Sequence, residues 1–254
     1  MKKQFVLILI FCAVFFSCKK KNSGNSTSQI NQFSPNDYIE GYGLLEVIKV
    51  EDLVGGNLYP YGNSPCLSHS YFYDSLINYN YMGGDKALDI GLVSLNGTQF
   101  KKYTWFNSYS STMYFDTVKS VFSFPLNWKI TGANSFNSCD ILIPGGYPTY
   151  TGYSSLPDTI FLSSGVTIPL VGISDDRIQI FIDDGAFTYT GFKFLDKPFT
   201  NVSFPSSEFV PFMPSNNGNI TIVIYKNNLR TLNNRVYNFR TSYQLIKRNV
   251  VLVY

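Results

Sequence analysis

The chain has 254 residues, of which 44% are hydrophobic, 17% aromatic and only 15% charged. That composition excludes a disordered, coiled-coil or collagen-like chain and suits one large all-β domain or two small ones. Twenty Lys and Arg against seventeen Asp and Glu give +3, too small an excess to imply a nucleic-acid partner, and a single histidine, His69, restricts acid–base and metal chemistry.

In chain order the first element is a leader over residues 1–17. Lys2 and Lys3 precede an unbroken apolar run, Phe5 to Phe16, that ends at Ser17-Cys18. The run is too short to cross roughly 30 Å of hydrocarbon, which takes about 20 helical residues, so it reads as the apolar part of an export signal. A cysteine directly after a short apolar run and a small residue resembles the lipobox of bacterial lipoproteins, in the relaxed form of the Bacteroidota. Phe15 and Phe16 stand where that family favours Leu and a small residue. The resemblance implies cleavage before Cys18 and lipidation of Cys18. The envelope is then the expected location: lipid-anchored, on the outer membrane facing the periplasm, with surface exposure as the alternative. The next stretch, KKKNSGNSTSQINQ, carries almost no apolar surface and reads as a flexible tether over 18–36. Its three lysines sit near anionic head groups at about 1 kcal/mol each. Lipoproteins of this group that reach the cell surface tend to carry acids just after the cysteine; none stands here, which favours the periplasmic face. Without the leader, 18 basic residues face 17 acidic ones.

From Tyr42 the chain is a series of short Val/Ile/Tyr/Phe/Thr runs broken by Gly, Pro, Asn and Asp, the punctuation of strands. Strands are expected at Tyr42–Val50, Ser70–Tyr81, Ala87–Leu95, Phe100–Phe106, Met113–Val118, Val121–Thr131 and Ile141–Ile143. Asn96-Gly97 is the strongest turn signal, able to supply both positive-φ positions of a type I′ hairpin. Residues 132–157 are dense in Gly, Pro, Ser and Asn and suggest a boundary or long connection. Beyond them the strands expected are Thr159–Leu162, Val166–Ile173, Arg177–Ile182, Phe187–Phe194, Phe199–Phe204, Asn219–Tyr225, Val236–Leu245 and Val250–Tyr254. About eight strands in about 100 residues suit an immunoglobulin-like sandwich. Only Ser206–Met213 reads as briefly helical, with Glu208 in its first turn. The expected fold is therefore all-β, an antiparallel β-sandwich body, with an N-terminal sandwich over 37–145 and an immunoglobulin-like one over 146–254.

The chemistry-bearing residues are few. Cys66 and Cys139 are disulfide candidates in an exported protein, a bond worth roughly 4 kcal/mol by chain entropy if geometry allows; the alternative is two buried thiols. Cys66 and His69 are close in sequence, but a nucleophile and its base are normally assembled by the fold. No G-x-S-x-G, C-x-x-C or H-E-x-x-H pattern is present, which disfavours serine and zinc chemistry and leaves neither a metal nor a cofactor expected. Asp175-Asp176 and Asp183-Asp184 flank RIQIFI, roughly 25 Å apart along one strand, and read as turn chemistry rather than one ion site. After Glu208 the chain has no acid, while Lys226, Arg230, Arg235, Arg240, Lys247 and Arg248 accumulate; acids from other strands can interleave with them. Tyr147, Tyr150 and Tyr153 lie in the Gly/Pro-rich connection, where rings are harder to assign to a core, and are the candidate ligand-binding residues. The rival is that they close over a seam between the two halves.

Asp74-Ser75-Leu76, Asp116-Thr117-Val118 and Asp158-Thr159-Ile160 resemble the O-glycosylation acceptor of exported Bacteroidota proteins. From Trp128 through Pro157-Asp-Thr-Ile160 to the closing Leu245–Tyr254 the chain resembles lipoproteins of that group with sandwich domains, a resemblance that brings no activity with it. The expected function is that of a non-enzymatic cell-envelope lipoprotein with a structural or binding role. Its expected partners are the membrane, through the lipid on Cys18, and a glycan or envelope protein, with no nucleic acid. The alternatives are a glycan-binding accessory protein using exposed tyrosines and a carboxylate-based glycoside hydrolase.

Overall fold

A computed structural model describes residues 43–60, 66–72, 88–106, 110–116, 122–134, 136–175, 177–186 and 188–254. The leader, Cys18 and the tether lie outside the described residues. So do Asp74-Ser75-Leu76, Thr117-Val118, Asp176 and Phe187.

Among the described residues the strands are, in order, β1 (Gly43–Val54), β2 (Asn57–Pro60), β3 (Cys66–Phe72), β4 (Val93–Leu95), β5 (Thr98–Gln99), β6 (Lys101–Phe106), β7 (Ser110–Phe115), β8 (Leu126–Ile130) and β9 (Cys139–Ile143). They continue with β10 (Thr159–Phe161), β11 (Val166–Pro169), β12 (Arg177–Asp183), β13 (Lys193–Asp196), β14 (Asn201–Phe204), β15 (Ser215–Lys226), β16 (Leu229–Leu232) and β17 (Arg235–Val253). Two single 3-10 turns, Tyr153–Ser155 and Ser206–Phe209, are the helical elements among these residues. The second matches the one helical expectation. No helix among the described residues is long and apolar enough to cross a membrane.

The protein is all-β. One large sheet runs β13-β12-β15-β17-β1-β3-β7-β6, with β2 added to β1 and with β10 and β16 added to β17; a four-stranded sheet runs β5-β4-β8-β9, and β11 pairs with β14. The sequence reading is corrected in the strand pairing: β1 and β10 both pair with β17 in parallel, so the large sheet is mixed rather than purely antiparallel. Hairpin signals report neighbours in the chain, and this pairing joins Leu44 to Asn238. The two expected strands Val236–Leu245 and Val250–Tyr254 are also one element, the 19-residue β17. Asn249, at φ 59, is absorbed as a bulge where the register slips between Gly218↔Val250 and Ile220↔Lys247. Asn96-Gly97 closes the β4–β5 hairpin with both residues at positive φ, as its type predicts, and Asn233-Asn234 does the same between β16 and β17.

Directly paired residues share a face of a sheet and alternate along each strand. Both hydrophobic clusters therefore lie on the same, inner face of the large sheet. One packs Leu45, Val47, Phe72, Tyr114, Tyr237 and Phe239 against Val93, Leu95, Leu126, Trp128 and Ile130 of the four-stranded sheet. The other packs Ile178, Ile180, Ile182, Ile220, Ile222, Ile224, Tyr243 and Leu245 against Ile168, Val202, Phe204, Phe209 and Phe212. β1 and β17 supply residues to both, β1 through Leu45 and Leu53, β17 through Phe239 and Leu245.

Candidate functional site

The sequence candidates meet where the two clusters adjoin. On the inner face, β3, β1, β17 and β15 bring Cys66, Lys49 and Tyr243 into one row and Ser68, Val47, Thr241 and Lys226 into the next. This strip is polar. Tyr243 Oη donates to Glu51 at 2.6 Å, and Lys49 Nζ lies 2.7 Å from Glu51. Ser68 Oγ and Thr241 Oγ1 are buried without a hydrogen-bond partner. The connection 144–158 roofs the strip. Tyr147 is half-buried, with its Oη 3.7 Å from Cys66 Sγ and 3.4 Å from the Phe122 carbonyl it donates to. Tyr150, only 3% exposed, belongs to the second cluster, and Tyr153 packs half-buried against it. Lys247 holds the connection down by donating to the Leu156 carbonyl at 2.8 Å. The three tyrosines thus divide between the two clusters at a seam.

Cys66 and Cys139 are both free thiols. β3 belongs to the large sheet and β9 to the edge of the smaller one, and Cys66 faces Tyr147 instead. Burial pushes the Cys66 thiol up and, with the Asp140 charge, raises Cys139 to about 11, which favours the protonated thiol over the thiolate at both. Cys66 and His69 cannot act together, because three residues apart on a strand they face opposite sides of the sheet.

His69 points instead to the outer face, where the structure assembles a group that sequence reasoning missed. Glu46 pairs with Arg240 on β17 and with His69 on β3. Arg240 Nε and Nη2 donate to Glu46 Oε1 and Oε2 at 2.7 and 2.8 Å, Ser242 Oγ donates to Oε1, and His69 Nε2 lies 3.5 Å from Oε2. Burial alone would raise Glu46, but the Arg240 charge, helped by His69 and by the bonds from Arg240 and Ser242, holds it below the usual carboxylate range. Burial drives His69 down, and Arg240 adds to this against the pull of Glu46. The histidine is therefore neutral and Glu46 ionised at neutral pH. Other basic residues of the C-terminal run are also matched by acids, Lys247 by Asp158 and Arg248 by Asp52, so the run forms no uniform basic face.

The same outer face continues onto β15, β12 and β13. Arg240 lies with its Cζ 4.8 Å from the Tyr225 ring centroid, and Tyr225 Oη donates to Gln179 Oε1. Arg177 grips Asp196 with two bonds, at 2.7 and 3.1 Å. Beyond them lies a row of rings. Phe181 and Phe192 are 4.9 Å apart, Phe192 and Tyr189 5.5 Å, and Phe194 lies opposite Gln179. All are half-buried except Tyr189, which is 40% exposed. The turn leading into the row is fixed by Asp184, whose Oδ1 accepts from the Ala186 and Thr188 amides at 2.8 and 3.0 Å, the turn chemistry expected of that pair. The signal for the row was present as the Phe187–Phe194 run, expected there as a strand.

No protein-family model, no curated protein and no solved structure matches this chain.

Proposed function

We propose that the chain is a lipid-anchored cell-envelope protein whose β body has a binding rather than a catalytic role, with the outer face of β12 and β13 as the binding surface. The leader and Cys18 support the anchoring. The observation that carries the binding role is the ring row. A sheet with one face packed on a core ordinarily turns polar residues outward, and here Phe181, Phe192, Phe194 and Tyr189 occupy outward positions while Ile178, Ile180 and Ile182 fill the core. Tyr189 is 40% exposed and the rings packed beside it are half-buried, and apolar groups left partly open to solvent mark interaction sites. The polar groups beside them are tied to each other, Arg177 to Asp196 and Tyr225 to Gln179. They form a fixed surface suited to recognition, and the one imidazole is held neutral against Glu46.

Two measurements test this. In cells, Cys18→Ala abolishes processing and releases the protein from the membrane fraction; unchanged mass and partitioning would contradict the anchor. In vitro, the chain from residue 18 with Cys18→Ser co-sediments with isolated envelope, and Tyr189→Ala with Phe192→Ala lowers that retention at unchanged melting temperature.

A further inference from the structure

We infer that the end of the body formed by the 209–214 connection and Tyr254 is a lipid-inserting tip, through which the protein contacts a membrane surface directly. The inference rests on the anchored reading for one thing, the presence of a lipid surface beside the chain. In Phe209-Val-Pro-Phe-Met-Pro214 the rings of Phe209 and Phe212 fill the second cluster, 2% and 1% exposed and 5.2 Å apart. The Phe212 amide donates to the Phe209 carbonyl at 2.9 Å, which closes a tight turn with Val210 and Pro211 at its apex. Val210 is thereby pushed out to 80% exposure, and Met213 follows at 70%. Pro211 and Pro214 are exposed beside them. Tyr254 Oη donates to the Phe212 carbonyl at 3.5 Å, which lays a 70%-exposed ring next to Met213.

This end of the molecule carries almost no charge. The segments gathered there, 159–166, 201–207, 209–219 and 249–254, contain no charged side chain. They meet because the Leu162 amide donates to the Val253 carbonyl, Gly165 lies against the Phe204 carbonyl and Ser215 pairs with Leu252. The charged side chains nearest to them are engaged: Glu208 with Lys193 at 2.6 Å, Arg248 with Asp52 at 2.9 Å, and Asp183 and Asp184 with amides of their own turn. Ser206, Ser207, Asn216 and Asn217 are exposed and give the tip a polar, uncharged rim. Apolar side chains ahead of a neutral polar rim, with a tyrosine at the border, match the boundary between acyl chains and head groups. A carboxylate ending the chain at Tyr254 would stay with the tyrosine hydroxyl in the head-group layer.

The size and shape of the patch select the occupant. Its five side chains expose on the order of 500 Å², short of the roughly 800 Å² per partner of a standard protein–protein interface. They also protrude from a turn and line no groove. Insertion into lipid needs neither shape complementarity nor that area, only apolar side chains that leave water. Such a contact is weak alone, and a tether strengthens it by making it intramolecular. β17 pairs Asn238 with Leu44 at the start of β1, and Tyr254 lies about 50 Å farther along the strand. Residues 19–42 extend to about 80 Å, so an anchor at Cys18 and the tip can reach one surface.

The test uses the chain from residue 18 with Cys18→Ser, so that no acyl chain contributes, and sediments it with phosphatidylcholine vesicles. The expected result is binding that added salt does not weaken. Val210→Asp and Met213→Asp each lower the partition about 10-fold or more at unchanged melting temperature. Leu142→Asp, at an apolar side chain 55% exposed on β9, leaves it as it was. In Met213→Trp the added fluorescence is quenched by phosphatidylcholine brominated on its acyl chains. If an aspartate variant unfolds, Val210→Ser and Met213→Ser, which bring no charge, carry the test. No vesicle binding by the parent, or binding that the tip variants retain, overturns the inference. So does a dimer of the parent that Met213→Asp separates, which would assign the tip to a second copy. Retention on isolated envelope but not on vesicles, lost in Met213→Asp, would assign it to a protein and overturns the inference too. Release of the Cys18→Ala protein from membranes in cells is a separate readout, so failure of the anchor and failure of the tip are told apart.

Discussion

Glu46 is 2% exposed, so its charge is tolerable only because Arg240 and Ser242 satisfy it. Breaking a buried pair leaves an uncompensated charge, and Arg240→Met is expected to cost about 3–5 kcal/mol, with much of the loss recovered in the double variant Glu46→Leu/Arg240→Met. Urea denaturation of the three proteins checks this. The pH dependence follows from the same group. His69 is held below its ordinary 6.5 in the folded state, so below that pH the unfolded chain binds the extra proton and stability falls as pH is lowered. Glu46 is held below its ordinary 4.5, so its contribution is present above that value and is lost on further acidification. The melting temperature should therefore drop in two stages, and His69→Gln should remove the first; a drop between pH 7 and 5 of the same size in both proteins would contradict the assignment. On the inner face Thr241 is 1% exposed and its hydroxyl has no partner. Thr241→Val keeps the shape, removes the unmet polar group and should stabilise by about 1 kcal/mol, measurable as a raised melting temperature. His69 and Arg240 stood out in the sequence singly, but nothing there joined them to Glu46 or marked Thr241. Glu46 and Arg240 are 194 positions apart, and the strand's alternation turns Cys66 and His69, close in sequence, to opposite faces.

Elements whose signal is local were legible. Asn96-Gly97 turns as its φ requirement dictates, and β12 and β6 lie within a residue of the expected spans Arg177–Ile182 and Phe100–Phe106. Elements went wrong where something beyond the run decided the backbone. Val121–Thr131 shortens to Leu126–Ile130 because Pro125 has no N–H to give a ladder. Of the Phe187–Phe194 run the described residues make regular strand only from Lys193: Asp184 caps the Ala186 and Thr188 amides, and the register against β12 slips by one residue between Asp183↔Tyr189 and Ile180↔Lys193, which leaves Tyr189 and Phe192 both on the outer face. The β10–β11 turn shows how close these connections run. Gly165 has φ +77, and a Cβ there would stand 2.4 Å from the Phe204 carbonyl oxygen. Gly165→Ala should cost about 1–3 kcal/mol or more, read from its unfolding curve; a neutral result would mean the turn can shift away from β14.

At the scale of the molecule, β1 and β17 join what the sequence reading separated at 145/146. Leu53 of β1 packs into the cluster otherwise built from residues 150–252, and Val50 and Ile48 lie beside Gln244 and Ser242 in the same sheet. Calorimetry should show one unfolding transition, and a fragment of residues 146–254, lacking β1, should show no native near-ultraviolet signal; two resolved transitions would mean the clusters are independent. The shared sheet also fixes how function divides over its sides. The inner side is filled, its tyrosines 147, 150 and 153 spent on closing the seam, while the outer side of β12 and β13 presents Tyr189 and its neighbouring rings. Hydrogen–deuterium exchange of the chain with and without isolated envelope locates the contact most directly. Protection is expected in peptides covering 177–183 and 188–196, with 144–158 unchanged. Protection confined to 144–158, or none at β12 and β13, would contradict the assignment of the outer face as the binding surface.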